Sequence, residues 1–178
     1  CVSPNRVFVQ AGVHDAFVDR LAARVAALKV GPASDEGSQI GPMINARAVE
    51  KIERHVQDAV AKGAKVLTGG RRLVDLGPNY YAPTVLVNAD ATMACSCEET
   101  FGPVVPITRF DSEAEAIRIA NDVRFGLAAA VWTRDIGCAL RMSEKLQAGT
   151  VWVNTYRAVS YMAPFGGYKD SGLGRENG

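Results

Sequence analysis

The sequence is short of the features that would assign it quickly. It has only two histidines and two tryptophans in 178 residues, and Lys and Arg (20) nearly balance Asp and Glu (19). A net charge of +1 leaves no basic stripe for a nucleic-acid surface. The longest apolar run, "LAAAVW", falls far below the ~18 residues needed to cross a bilayer, so no membrane span is expected. No signal or transit segment is visible, and a missing natural N-terminus would hide one, since the sequence starts on Cys1. The four cysteines (Cys1, Cys95, Cys97, Cys138) do not form a secreted disulfide framework. Cys95 and Cys97 make a C-x-C rather than a C-x-x-C, and with His14 and His55 the only imidazoles, no metal site is expected. The thiols read as reduced, which points to the cytoplasm. Ser-His-Asp hydrolysis has no support, because His14 is expected on the surface at a helix start and His55 on the polar side of a helix.

What remains is the profile of an ordinary globular domain, 48% hydrophobic and 22% charged. A chain this long buries roughly 70% of its unfolded surface and needs no covalent staples. Strand and helix signals alternate. "RVFVQ" (6–10) is strand-like, and 15–29 follows as an amphipathic helix with Asp15 as cap and Phe17, Leu21, Val25 and Leu28 on one face. A breaker-rich connection leads to Asn45, which caps a second helix with Val49, Ile52, Val56 and Val60 as its stripe and Gly63 as its stop. "AKVLTGG" is predicted to be a short buried strand, and "YYAPTVLVNA" another extended run, with Pro83 placing its first part at an edge or outside the ladder.

"VVPITRF" is again strand-like, and Ser112 with Glu115 has capping-box spacing for the next helix. "GLAAAVWT", a helix over 135–148 and the strand "TVWVN" complete the pattern. The expected fold class is α/β, a mainly parallel sheet flanked by helices, with no internal repeat and no domain boundary. Residues 155–178 carry glycines and aromatics without a period, as functional loops do or segments awaiting a partner. Both ends of the chain therefore look cut.

Three places could carry chemistry. Cys1, before the first strand, is a nucleophile if something lowers its pKa or takes its proton, and otherwise an inert small hydrophobe. "CEETFGP" sets two carboxylates and an aromatic before a strand. A carboxylate there could accept from a ribose diol and the ring could pack on a flat heterocycle, but local sequence alone favours a solvated turn with a core Phe. The segment "NTYRAVSYMAPFGGYKDSGLGRENG" suggests either an apolar pocket wall or a loop packed on its own domain. Lys169 and Arg175 among its glycines could instead bind an anion, though P-loop spacing is absent.

Taken in order, "CVSPNRVFVQ", "IGPMIN", "YYAPTVLVN", "EETFGPVVPITRF", "ANDVRFGLAAAVWTRD", "GTVWVN" and "APFGGYKDSGLGRE" resemble the carboxyl-terminal, catalytic part of the NAD(P)-dependent aldehyde dehydrogenase superfamily. The resemblance covers essentially the whole chain and implies a single catalytic-domain fragment over 1–178. It implies Cys1 as the thiolate that attacks an aldehyde to give a thiohemiacetal. Hydride then passes to NAD or NADP, and water hydrolyses the resulting thioester. It implies Glu99 on the nicotinamide ribose, Phe101 beside the nicotinamide, and Val2, Ser3, Tyr156, Val159 and Phe165 along the aldehyde tunnel. Arg157 would pair with an acidic substrate or face solvent, with solvent favoured, and an aromatic or medium-chain aldehyde fits the Tyr-rich loop at least as well. Ser3 stands where some relatives carry a second cysteine, so no redox switch is expected there.

The general-base Glu, the oxyanion-hole Asn, the dinucleotide-binding half and the oligomerisation tail are expected outside these residues. The chain alone should be inactive, and the intact enzyme a cytoplasmic homodimer or homotetramer without nucleic-acid or membrane partners. A cysteine-dependent hydrolase or acyltransferase, and a non-catalytic assembly module, are the competing readings.

Overall fold

A computed structural model describes residues 3–177, and its backbone gathers into two compact units. The first runs from Asn5 to Phe110. It contains β1 (Val7–Gln10), α1 (Ala11–Ala26), α2 (Ala46–Ala61), β2 (Lys65–Thr68), β3 (Thr84–Val87), α3 (Ala94–Cys97) and β4 (Val104–Phe110). The sheet order is β1-β4-β3-β2. β4 pairs in parallel with both β1 and β3, as expected of strands joined through helices, whereas β2 runs antiparallel to β3.

The first unit has two apolar clusters. Val9, Val18, Val85, Val87 and Ile107 pack with Leu21 and Val25 of α1. Val49, Ile52, Val56 and Ala59 of α2 pack with Tyr81, Leu86, Met93 and Cys95. The Asn45 side chain accepts from the Ala48 N–H, capping α2 as expected, and Gly63 follows at φ +104. Pro83 lies just outside β3, whose four residues are all buried.

Four expectations need correction here. The first helix starts at Ala11, so Asp15 sits inside it and caps nothing. Its buried face is His14 and Val18 with Leu21 and Val25 beside them, and Phe17 is exposed. Leu21 and Val25 belong to both faces, and tertiary packing rotated the stripe from Phe17 toward His14 and Val18. On α2, Val60 is exposed and Ala59 takes its place in the core. β2 is not a buried strand: Val66 and Leu67 are exposed on an edge, because the sheet ends there.

The second unit comprises, among the described residues, 3–4 and 111–177. It holds α4 (Glu113–Asn121), β5 (Phe125–Gly126), β6 (Ala128–Val131), α5 (Ile136–Lys145), β7 (Thr150–Val153) and β8 (Tyr168–Lys169). β6 and β7 pair in parallel across α5, and β5 pairs antiparallel with β8. The Ser112 hydroxyl accepts from Glu115 N–H, while the Glu115 carboxylate accepts from Asp111 N–H one residue earlier than a strict capping box requires. Asp135 caps α5 through Gly137 and Cys138. Among the described residues Cys95, Cys97 and Cys138 are free thiols.

Close approach shapes several glycine positions, Gly149 and Gly102 among them. A Cβ on Gly149 would lie 1.6 Å from the Gly166 carbonyl oxygen, and one on Gly102 would lie 2.4 Å from Cδ1 of Ile52. The second contact seats the segment before β4 directly on α2. Ile52→Ala should therefore cost about 3 kcal/mol of unfolding free energy, since it opens a cavity beneath that segment. Urea titration of the purified protein checks this, and a loss below about 1 kcal/mol would contradict it.

Candidate functional site

The stretch 94–101 comprises α3 and the turn that leads from it toward β4, and one face of α2 grips it. Lys51, Ile52, His55 and Asp58 recur at helical spacing. The Asp58 carboxylate accepts from Ala94 N–H at 2.7 Å and so caps the short α3. The Lys51 ammonium donates to the Glu99 carbonyl. His55, with 0% of its surface exposed, lies 3.0 Å from Thr100 Oγ1 through Nδ1 and 3.2 Å from Glu98 Oε2 through Nε2. An ionised carboxylate only accepts, so Nε2 carries the proton and Nδ1 accepts from the Thr100 hydroxyl.

Asn5 closes the turn from the other side. Its amide donates to the carbonyls of Cys95 (3.2 Å) and Glu98 (3.1 Å), and its oxygen accepts from Thr100 N–H (3.1 Å). Three otherwise orphaned backbone groups are satisfied by one side chain. The turn that results presents Glu99 outward and holds Phe101 at φ +53 with the residue 65% exposed. A non-glycine residue in the left-handed region carries strain, and such strain concentrates at functional sites. The exposed ring corrects the sequence alternative of a core Phe.

Electrostatics follow burial. Desolvation pushes the His55 pKa below the ordinary imidazole value, against the pull of Glu98. The Ala94 N–H and then Lys62 hold Asp58 below the usual carboxylate range. Burial raises the Cys95 thiol. Both histidines were expected at the surface, and both are buried. The missed signal for His55 was its position, three residues after Ile52 and four before Ala59, inside a wider stripe than the one drawn.

In the second unit, the loop after β7 is pinned from beneath. Trp152 Nε1 donates to the Ala158 carbonyl at 2.9 Å, and Tyr156 packs edge-on against Trp152 with centroids 5.3 Å apart. Tyr156 is half-buried, while Arg157 (φ +61) and Val159 are exposed. Phe165 is half-buried, exchanges backbone hydrogen bonds with Glu176, and lines a depression of about 360 Å³ with Leu127 and Arg175. Lys169 donates to the carbonyls of Asn121 and Val123, and Arg175 to those of Gly167 and Gly174, so neither extends toward an anion.

Glu99 and Phe101 thus share one turn, and Tyr156, Arg157, Val159 and Phe165 share one loop region of the other unit. Ser3 is exposed. Cys1 and Val2, proposed as nucleophile and neighbour, lie outside the described residues. Among the described residues no cluster of three or more His, Cys, Asp or Glu side chains is arranged to hold a metal, and no helix is long and apolar enough to cross a membrane.

Residues 1–178 match the aldehyde dehydrogenase family, and the chain belongs to that family. It is 49% identical over 176 residues to a glutarate-semialdehyde dehydrogenase of Pseudomonas putida, covering 99% of this chain and 36% of that protein. The crystal structure of succinate-semialdehyde dehydrogenase from Burkholderia pseudomallei superposes with a TM-score of 0.95 at 51% identity, covering 99% of this chain and 36% of that one. The structure of Staphylococcus aureus betaine aldehyde dehydrogenase in complex with NAD+ superposes at a TM-score of 0.93 and 42% identity, again over 99% and 36%. The chain thus spans about a third of the length of these relatives.

A buried neutral imidazole makes stability depend on pH in a defined direction. The unfolded imidazole titrates near 6.5 and the folded one lower, so between those values the unfolded state binds more protons. Stability should fall as pH drops through about 6.5 toward the folded pKa, above the range in which most carboxylates titrate. The melting temperature between pH 7.5 and 5.5 should therefore decline more steeply for the wild type than for His55→Gln. Equal slopes would contradict a neutral, buried His55.

Proposed function

We propose that the protein carrying this chain oxidises an aldehyde to a carboxylic acid with NAD or NADP, using Cys1 as the nucleophile. Family membership over the whole chain supports this reading, and the Glu98–Phe101 turn is the structural observation that carries it. The exposed Glu99 carboxylate suits a ribose diol, which needs an acceptor for two hydroxyls, and the exposed Phe101 ring suits a flat heterocycle. When bound, the nicotinamide supplies a two-electron acceptor.

The chain's own residues bind, orient and form the covalent bond. The Cys1 thiolate adds to the aldehyde carbon, giving a thiohemiacetal whose oxyanion is stabilised by hydrogen-bond donors including the Cys1 backbone N–H. Loss of hydride from that carbon leaves a thioester. Water then breaks the C–S bond, returning the thiolate and releasing the acid. Overall, aldehyde, NAD(P)+ and water give carboxylate, NAD(P)H and two protons. A sulfur nucleophile suits both halves, because it attacks readily and leaves readily.

The substrate class we propose is a short aldehyde with a second, anionic end. The names of the semialdehyde dehydrogenases above support it, as does Arg157, the only charged side chain between Asn154 and Gly167. Tyr156, Val159, Phe165 and, near the nucleophile, Val2 and Ser3 would supply the remaining contacts to the aldehyde. A cytoplasmic, homo-oligomeric enzyme remains part of the proposal.

Two measurements test it. Cys1→Ala should remove NAD(P)H formation, and mass spectrometry of the protein stopped in mid-turnover should place the acyl adduct on Cys1. An adduct on any other side chain would overturn the mechanism. Arg157→Ala should raise KM for succinate semialdehyde by about tenfold, the worth of one lost charge-assisted pair, while leaving KM for an uncharged aldehyde unchanged. Equal effects on both substrates would reject the anionic class and leave the chemistry standing.

A further inference from the structure

His55 has no direct part in the proposed chemistry, and yet its placement is costly. A helix position with no exposed surface is cheaply filled by Leu or Val, whereas a buried imidazole is tolerated only when both nitrogens are satisfied. Both partners of His55 lie within one three-residue stretch, Glu98 to Thr100. Asn5 engages the same stretch through the Glu98 carbonyl and the Thr100 N–H, and the Cys95 carbonyl just before it. Glu99 lies between the two clamped residues and Phe101 directly after them.

The backbone conformation beyond the clamp is one the chain would not adopt unaided. Phe101 sits at φ +53, and its ring gains no compensating burial. Such a conformer persists only when its surroundings over-determine it. Gly102, where an added Cβ would meet Cδ1 of Ile52 at 2.4 Å, packs the far end against α2. The turn is thus held at Glu98 and Thr100 by side-chain hydrogen bonds and at Gly102 by packing, which leaves Glu99 and Phe101 as the outward-facing residues between fixed points.

We propose that His55 and Asn5 are positioning residues for cofactor binding. Together they preset the Glu98–Thr100 backbone so that the Glu99 carboxylate and the Phe101 ring are already arranged for the ribose and the nicotinamide. The inference rests on the reading of Glu99 and Phe101 as cofactor contacts. Neither His55 nor Asn5 touches the cofactor, and each acts through the turn. Preorganisation of this kind is lost steeply, because displacements near 1 Å at a bound group cost up to about a hundredfold.

The test uses the complete enzyme containing this chain. His55→Phe keeps the volume and removes both hydrogen bonds, Thr100→Val removes only the hydroxyl that His55 accepts from, and Asn5→Ala removes the opposite side of the clamp. Each should weaken NAD(P)+ affinity, read by fluorescence titration and by KM, with about a tenfold rise expected for His55→Phe and Asn5→Ala. The rate of Cys1 alkylation by iodoacetamide without cofactor should stay within about twofold of wild type, as should KM for the aldehyde.

Val49→Ala, a cavity on the same helix, separates positioning from general loosening. It should lower the melting temperature without moving NAD(P)+ affinity. If His55→Phe does not fold, Thr100→Val carries the test with the imidazole intact. Unchanged NAD(P)+ affinity in both Thr100→Val and Asn5→Ala would overturn the proposal, and so would an equal loss of affinity in Val49→Ala. Glu99→Gln tells the two levels apart. If it weakens NAD(P)+ binding while the clamp variants do not, only the positioning role fails; if it has no effect either, the cofactor reading of the turn fails first.

Discussion

The first unit depends on one requirement, that polar groups taken out of water find partners. α2 is amphipathic, and burying its apolar face against Tyr81, Leu86 and Met93 carries His55 inside with it. Once there, the imidazole must be answered at both nitrogens, and both answers come from the segment ahead of β4. A helix packed for hydrophobic reasons thereby becomes a ruler for a turn. Asp58 fixes that segment at Ala94 and Lys51 at the Glu99 carbonyl, both from the same helix. Their spacing along α2 is what makes one rigid element able to hold the short α3 and the irregular turn that follows it.

The parallel strands give that turn its mounting. β4 is flanked by β1 and β3 in parallel register, so the chain leaving the turn enters the sheet's interior at once. The Asn5 side chain connects the entry to β1 with the same turn. Two ends of neighbouring strands and one helix therefore converge on a stretch whose exposed members are a carboxylate and a phenyl ring. Sites carried on a rigid framework in this way are more exact than sites on free loops.

Much of this was legible in the residues. The alternation of strand and helix, the Asn45 cap, the Gly63 stop and the exclusion of Pro83 from the ladder all follow from local chemistry that acts within a few residues. The failures share a different origin. Asp15 has the chemistry of a cap and lies within a helix that starts four residues earlier, because β1 runs directly into α1. Val66 and Leu67 have the composition of a core strand, but whether a strand is interior or at an edge is decided by what pairs beside it. His55 reads as polar and therefore as exposed, when its partners are more than forty positions away. The Glu99–Phe101 pair was recognisable as a motif, but its left-handed backbone and clamp were not, since both come from long-range packing.

The loop after β7 has a different kind of anchorage. Trp152 secures it at Ala158 and through Tyr156, and Gly166 abuts Gly149 too closely for even a methyl group. The fastening thus uses a few interior groups and bare backbone, while Arg157, Val159, Tyr161 and Met162 project into water with no part in it. Those outer positions can be exchanged during divergence without loosening the scaffold, whereas the two glycines and the tryptophan cannot. Such a separation lets the outer face of the loop vary while the architecture beneath it stays still.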